Sequence, residues 1–327
     1  MLPEQPGAGR TDSAAGETGQ GSPGDGHDPA GGERRCGFVA VIGAPNVGKS
    51  TLVNRLVGSK VSIVSPKVQT TRARVLGIAM VERTQILLVD TPGVFVPRRP
   101  LDRAMVDAAW DGVAGADAVA LLVDASRSAA TAGTAPVIAG LRKRQRKAIL
   151  VLNKVDAVDK PRLLSLAAAL HEEGVFAPVF MVSALNGDGV GGLAAHLAAT
   201  LPRGPWLYPE DQLSDMPARL LAAEITREKL FWQLQQELPY SVAVETEQWS
   251  DRDDGSARID QVIWVEREAQ RPIVLGRGGQ RIKQIGEAAR KELEQLLGHR
   301  VHLFLHVKIR ERWRDDPAFW RLHGLSR

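Results

Sequence analysis

Cys36-Gly37-Phe38-Val39-Ala40-Val41-Ile42-Gly43-Ala44-Pro45-Asn46-Val47-Gly48-Lys49-Ser50-Thr51 decides the fold. The first seven residues are a short apolar, β-branched run, the pattern of a strand buried on both faces. Gly43 to Ser50 then spells Gly-x4-Gly-Lys-Ser, and the residues from Ser50 to Val57 have helical apolar spacing. Strand, glycine loop and helix in that order are the context a phosphate loop requires. The glycines let backbone N–H groups turn inward around phosphate oxygens, and the helix N-terminus adds a favourable dipole. Lys49 is then expected to reach the β- and γ-phosphates of a nucleotide, and the Ser50 hydroxyl to bind Mg²⁺.

Downstream, further buried strands are expected at Gln85–Asp90, Ala118–Asp124, Ala148–Asn153 and Val179–Ser183. Helical stretches separate them at about 102–115, 134–145, 161–173 and 189–200. This alternation predicts an α/β domain, a mostly parallel sheet with helices on both faces, whose ligand sits at the C-terminal ends of the strands. Polar residues stand at those ends. Asp90-Thr91-Pro92-Gly93 offers Asp90 to hold Mg²⁺ through water and the Gly93 N–H to face a γ-phosphate. In Asn153-Lys154-Val155-Asp156, Asp156 can accept two hydrogen bonds from the N1–H and exocyclic amine of guanine. Adenine lacks that pair of donors, so a buried Asp156 would reject it. Ser183-Ala184-Leu185 offers a backbone N–H to the guanine O6.

The four segments occur in the order found in translation-factor-like GTPases and resemble them as a set. GTP and GDP are therefore the expected ligands. The loop before the second strand, Ser62 to Arg72, reads as switch I, ordered by GTP and released on hydrolysis. Its metal-binding threonine is taken as Thr71, with Thr70 as the alternative. Val94 stands where Ras-like proteins carry a water-orienting glutamine, so slow hydrolysis or another device is expected. Asn46 offers one: in related K⁺-using GTPases an asparagine here helps hold K⁺ beside the phosphates. Bracing the loop is its other reading. Lys49, Thr71, Gly93 and Asn46 are the expected catalytic set, and Ser50, Thr71 and Asp90 the metal set.

The alternation stops near Leu201-Pro202. The expected organisation is a tail at 1–35, a G domain at 36–203, a linker at 204–217 and a second domain at 218–327. The tail is rich in Gly, Pro, Ser, Asp and Glu, cannot bury much surface and reads as disordered. It lacks the apolar core of a signal peptide. The second domain is expected to run helix (Ala218–Gln236), strand (Tyr240–Trp249), strand (Arg258–Glu268), a short apolar turn, Gly276-Arg277-Gly278-Gly279, a helix to about Leu297, and a strand at Val301–Ile309. Gly-x-x-Gly in that setting resembles a type II KH domain, an α+β fold whose loop clamps single-stranded nucleotides by their backbone. Gly276, Arg277, Gly278, Gly279, Arg281 and Lys283 are the expected RNA contacts, Gly278 being an extra glycine that would loosen the clamp. Charge agrees. The chain nets only +4, but between Arg271 and Arg314 eleven Lys or Arg face four Asp or Glu. Trp264, Trp313 and Trp320 are expected to pack rather than to stack on bases.

A single G domain followed by a KH domain resembles the bacterial Era family of GTPases. The resemblance covers about 36–327 and is carried by Val61 to Lys67, Gln69-Thr70-Thr71-Arg72, Arg227-Glu228-Lys229-Leu230, Glu237 to Val242 and Trp313 to Asp316. It implies binding to the 3′ end of 16S rRNA, a part in 30S assembly, and a monomer that works in the cytoplasm, with peripheral inner-membrane association in some members. Two alternatives stand beside it: an RNA-binding assembly factor whose GTP is mainly structural, and a membrane-linked signalling GTPase. One cysteine, Cys36, excludes an internal disulfide and suits a reducing compartment. No apolar run reaches about 18 residues, so no membrane span is expected.

Overall fold

The computed structural model describes residues 33–67, 69–235, 238–317, 320 and 325. The proposed tail therefore lies outside the described residues, apart from its last three. Those three belong to the folded part. Arg35 opens the first strand, the Arg34 guanidinium lies 4.5 Å from the Trp206 ring, and Glu33 pairs with Arg203 at 2.6 Å.

The first domain runs β1 (Arg35–Gly43), α1 (Lys49–Val57), β2 (Val75–Val81), β3 (Thr84–Asp90), α2 (Pro100–Ala114), β4 (Ala118–Asp124), α3 (Ala130–Lys143), β5 (Ala148–Asn153), α4 (Lys160–His171), β6 (Phe176–Val182) and α5 (Val190–Thr200). The sheet order is β2-β3-β1-β4-β5-β6. All neighbours are parallel except β2, which pairs antiparallel with β3 across the Glu82-Arg83 turn. Along each central strand nearly every residue is buried, because helices cover both faces. One face packs Ile42, Leu121 and Leu150 against Ala109, Val113, Ile138 and Leu163; the other packs Val39, Val41 and Val151 against Leu52, Val53, Leu193 and Leu197. Strand order reverses at β1, the chain running to β3 on one side and β4 on the other. A crevice opens there, at the carboxyl end of β1, which is where the phosphate loop lies.

The segment expected to be a linker is strapped to the sheet rather than free. Buried Gln85 accepts the Leu207 and Tyr208 N–H groups at 2.9 and 3.1 Å and donates to the Tyr208 carbonyl at 2.8 Å. Further on, Ile78 N–H donates to the Leu213 carbonyl at 2.8 Å and Ser214 Oγ to Leu76 O at 2.6 Å, covering part of the β2 edge.

The second domain runs α6 (Ala218–Gln233), β7 (Val242–Asp251), β8 (Ala257–Val265), α7 (Arg271–Leu275), α8 (Gln280–Leu297) and β9 (Val301–Ile309). β8 pairs antiparallel with β7 and parallel with β9. Ile285, Ala289 and Leu293 of α8 bury against the sheet and α6, with Ile282 and Leu296 partly buried beside them. Trp313 and Trp320 are buried, packed with Leu101, Met105 and Ala108 of α2 and with Ala243. This seam joins the two domains. No helix among the described residues is long and apolar enough to cross a membrane.

Candidate functional site

The loop after β1 needs its glycines for stated reasons. Gly43 and Gly48 have φ of 152° and 99°. A Cβ on Gly48 would fall 2.2 Å from Asn153 Nδ2, and one on Gly43 would fall 2.4 Å from the Leu122 carbonyl oxygen. Asn46 is also left-handed, with φ of 64°. Across the loop, Lys49 Nζ donates to the carbonyls of Gly43 and Ala44 at 3.3 and 3.0 Å. Burial pushes this ammonium down to about 8, opposed by the charge of Asp90. A buried cation held only by carbonyls has much to gain from an anion.

Three oxygens expected to serve a metal meet beside it. Ser50 Oγ lies 2.6 Å from Asp90 Oδ2 and 2.9 Å from Thr71 Oγ1, and Thr71 Oγ1 lies 3.5 Å from Asp90 Oδ2. Thr70 turns elsewhere, its hydroxyl bonding Ser65 Oγ and the Lys67 carbonyl. Burial raises the Asp90 carboxyl, against hydrogen bonds from Ser50 and the Lys49 charge. Its second oxygen, Oδ1, is buried without a hydrogen-bond partner. An orphaned buried acceptor within a cluster of hard oxygens fits Mg²⁺. Thr91 points away, donating to Val41 O at 2.9 Å. Gly93 sits tight against the phosphate loop, where a Cβ would come 2.8–2.9 Å from Pro45 atoms. Val94 is buried, and its N–H bonds the Gly43 carbonyl at 3.0 Å. Pro45, Asn46, Gly48, Lys49, Ser50, Thr51, Thr71 and Gly93 share one cavity of about 470 Å³.

The base-reading loops are tied to the phosphate loop through Asn153. It donates to the Val47 carbonyl at 2.8 Å and accepts the Ala184 N–H at 2.9 Å. That engagement leaves Leu185 as the next amide along the loop. Lys154 Nζ donates to the Asn46 carbonyl at 3.0 Å and pairs with Asp124 at 2.7 Å. Burial alone would raise the Asp124 carboxyl, but Lys154 and Ser126 outweigh it and hold it below the usual range. Asp156 is exposed, not buried as the specificity argument assumed. Exclusion of water from it therefore has to come from the bound base. Ser183 is buried and its Oγ accepts the Asn186 N–H at 3.2 Å. Sequence reasoning missed Asp124, which follows its strand as one more terminal carboxylate, and Arg55, whose Nε braces the Ala184 carbonyl at 3.3 Å.

In the second domain Gly276, Gly278 and Gly279 have φ of 73°, 59° and 75°. Gly278 is thus used for its shape, in a backbone region that costs other residues about 1–2 kcal/mol. A Cβ on Gly276 would fall 2.6 Å from the Arg281 Cβ. Arg277 and Lys283 are exposed. Arg281 is not wholly available, since its guanidinium donates to the Ile273 carbonyl. The basic excess read from the sequence is partly spent: Arg290, Lys291, Lys308, Arg310, Arg312 and Arg314 each pair with a carboxylate. Arg277 and Lys283 have no ion-pair partner among the described residues, so free positive charge gathers at the glycine loop and the first turn of α8.

Comparison with known proteins agrees with both halves. Residues 38–154 match the family described as 50S ribosome-binding GTPase, and 237–314 match the KH domain family. The chain is 56% identical over 307 residues to the GTPase Era of Brucella suis, covering 92% of this chain and 98% of that one. It is 58% identical over 292 residues to the GTPase Era of Rhizobium meliloti, covering 89% and 93%. Among solved structures it is similar to Era in complex with MgGDPNP and nucleotides 1506–1542 of 16S ribosomal RNA. The TM-score is 0.84 at 38% identity, over 90% of this chain and all of that one. A variant of Aquifex aeolicus Era bound to GDP·AlF4⁻ gives a TM-score of 0.83 at the same identity and coverage.

Proposed function

The chain belongs to the Era family of GTPases and hydrolyses GTP, and on that premise we propose that it is a nucleotide-controlled RNA binder that holds the 3′ region of 16S rRNA and assists 30S subunit assembly. The observation that carries the reading is the joining, in one chain, of the Ser50–Thr71–Asp90 oxygens beside buried Lys49 to a KH loop and helix start whose Arg277 and Lys283 have no ion-pair partner among the described residues. The solved Era complex with MgGDPNP and 16S nucleotides supports it from outside.

Ser50 and Thr71 would hold Mg²⁺ directly and Asp90 through water. Bound there, the ion draws charge from the β- and γ-phosphate oxygens. Lys49 adds a buried positive charge on the same oxygens, where low dielectric strengthens it. The Gly93 N–H would face the γ-phosphate and Thr71 would sense its presence. Asp156 would read guanine, and with the Ala184 N–H taken by Asn153 the Leu185 amide is the one left for its O6. Val94 cannot orient water. Asn46 Nδ2 instead donates to the Pro66 carbonyl at 2.8 Å, which brings a side-chain amide and a switch-loop carbonyl together beside the phosphates. As it stands that hydrogen bond is the brace; K⁺ held by the oxygens of both would have to replace it, with the Asn46 amide turned to present Oδ1. An RNA partner of this kind places the work in the cytoplasm.

Titration of a labelled RNA carrying the 16S 3′ sequence, beside a scrambled RNA of equal length, tests the reading. Tighter binding of the first at every salt concentration is expected. Equal affinities would leave only backbone attraction and contradict the choice of partner.

A further inference from the structure

Thr71 has one neighbour on each side, and both are held by the other domain. The Thr70 carbonyl accepts from Arg227 Nη2 at 2.6 Å. Arg72 Nη1 donates to the Val242 carbonyl at 2.9 Å, and its guanidinium lies 5.3 Å from the Trp313 ring and 5.9 Å from that of Phe231. At the far end of the same loop, the Val64 N–H donates to Glu228 Oε1 at 2.8 Å. Arg227 and Glu228 are consecutive residues of α6, 2% and 3% exposed. One helix of the KH domain thus grips the switch loop at residues 64 and 70.

Neither grip is what hydrophobic packing alone would provide. Arg227 is fixed by Glu224 Oε1 at 2.7 Å, and its Nη1 is buried with no partner. Glu228 is fixed by Lys60 and Lys229, each at 2.7 Å, and both lysines also reach Glu292 of α8. Burial alone would raise the Glu228 carboxyl, but Lys229, Lys60 and the Val64 N–H together hold it below the usual range. Buried charges are costly to keep, and apolar residues of similar volume are often as stable or more so. What charged groups supply here is direction: each points a hydrogen bond at one backbone atom of the loop, adding a hold from the second domain to those that Asn46, Asn54 and Ser50 make from the first.

We propose that Arg227 and Glu228 are positioning residues for GTP hydrolysis, holding the switch loop from the KH domain so that Thr71 Oγ1 lies against the Ser50–Asp90 pair. This rests on Thr71 being the γ-phosphate-sensing metal ligand, and the experiment below separates the two ideas. GDP has no γ-phosphate for Thr71 to sense, so loss of the grip acts on GTP and leaves GDP alone.

The test uses the full chain. For Arg227→Met, Glu228→Ala, Glu228→Gln and Thr71→Ala, kcat, the Mg²⁺ concentration for half-maximal rate and the GDP dissociation constant are measured, with thermal melting as the check on folding. Arg227→Lys keeps a donor toward the Thr70 carbonyl and replaces the methionine variant should that one not fold. A misplacement of about 1 Å costs on the order of 10²-fold. Arg227→Met and Glu228→Ala are expected to lower kcat about ten- to a hundredfold and to raise the Mg²⁺ requirement. GDP affinity stays within about twofold by the same argument. Glu228→Gln retains an acceptor for the Val64 N–H and is expected to recover most of the rate. A GDP affinity that falls in step with kcat would overturn the proposal, because a general loosening of the fold moves both. A folded pair of variants with unchanged kcat and Mg²⁺ requirement would overturn it too. If Thr71→Ala loses activity while these do not, the proposal alone fails; if Thr71→Ala is also unaffected, the assignment of Thr71 fails with it.

Discussion

Two glycine loops in this chain precede helices and are the proposed phosphate contacts, and they are built in opposite ways. The loop from Gly43 to Gly48 is cross-braced. Asn153 ties it to the base loop, Lys154 holds the Asn46 carbonyl, and Lys49 is buried beneath it. The loop from Gly276 to Gly279 stands at the surface with three positive-φ glycines, exposed Arg277 within it and exposed Lys283 on the helix that follows. On the proposed reading the first would concentrate one desolvated charge on a compact polyphosphate, a large contribution that is hard to screen. The second would spread exposed charges along a chain of phosphates, each worth little and all weakened by salt. Buried charge gives an all-or-none site; exposed charge gives a graded one.

The largest effect is expected at the buried loop. Lys49→Ala should lower GTP hydrolysis about a thousandfold or more, measured as phosphate release, since it removes the charge that low dielectric makes strong. Substantial residual turnover would show that the buried cation is not the main stabiliser. Next comes the combined change Arg277→Asp and Gly278→Asp, which puts two negative charges where a phosphate should sit. A Cβ at Gly278 meets nothing within 4 Å, and Asp tolerates left-handed backbone, so the fold should survive. Affinity for single-stranded RNA should drop about a hundredfold or more, with basal hydrolysis preserved. Undiminished RNA affinity would mean that this domain keeps the KH fold without using its loop.

These two loops were legible in the residues because glycines at fixed spacing between a strand and a helix have few other uses. Other parts were not. β2 (Val75–Val81) was missed, since its turn to β3 uses Glu82, at φ 52°, in place of the usual Gly or Asn. The strapping of 204–217 depends on Gln85, which reads as an ordinary polar residue at the start of a strand. Arg227 and Glu228 belonged to a quoted motif, yet on a helix such charges read as a solvated face. Their roles depend on partners about 160 residues away in sequence. Local pattern reports local structure; it is silent on which charge a distant loop will need.

A smaller effect tests whether the buried site is complete in itself. Replacing Na⁺ by K⁺ should raise hydrolysis about tenfold, less than the roughly 10²–10³ of a fixed transition-state donor because a bound ion is less firmly placed, and Asn46→Ala should abolish that gain while nucleotide binding persists. Equal rates in the two salts would remove K⁺ from the account and leave Asn46 as the brace to Pro66. The smallest effect belongs to the exposed loop. Lys283→Ala should weaken RNA about threefold across sequences and lessen the slope of log affinity against log salt by about 0.7, the value for one single-strand phosphate contact. A sequence-dependent loss would assign Lys283 to base recognition instead.

If α6 holds the switch loop as proposed, the two glycine loops are coupled through it. The most direct test is the affinity of the 16S 3′ RNA for the full chain loaded in turn with a non-hydrolysable GTP analogue and with GDP, at one salt concentration. Coupled sites differ by about 5- to 150-fold, and RNA must then change the ratio of GTP-analogue to GDP affinity by the same factor. That matched pair of factors is the predicted result. Identical RNA affinity in the two nucleotide states would contradict it.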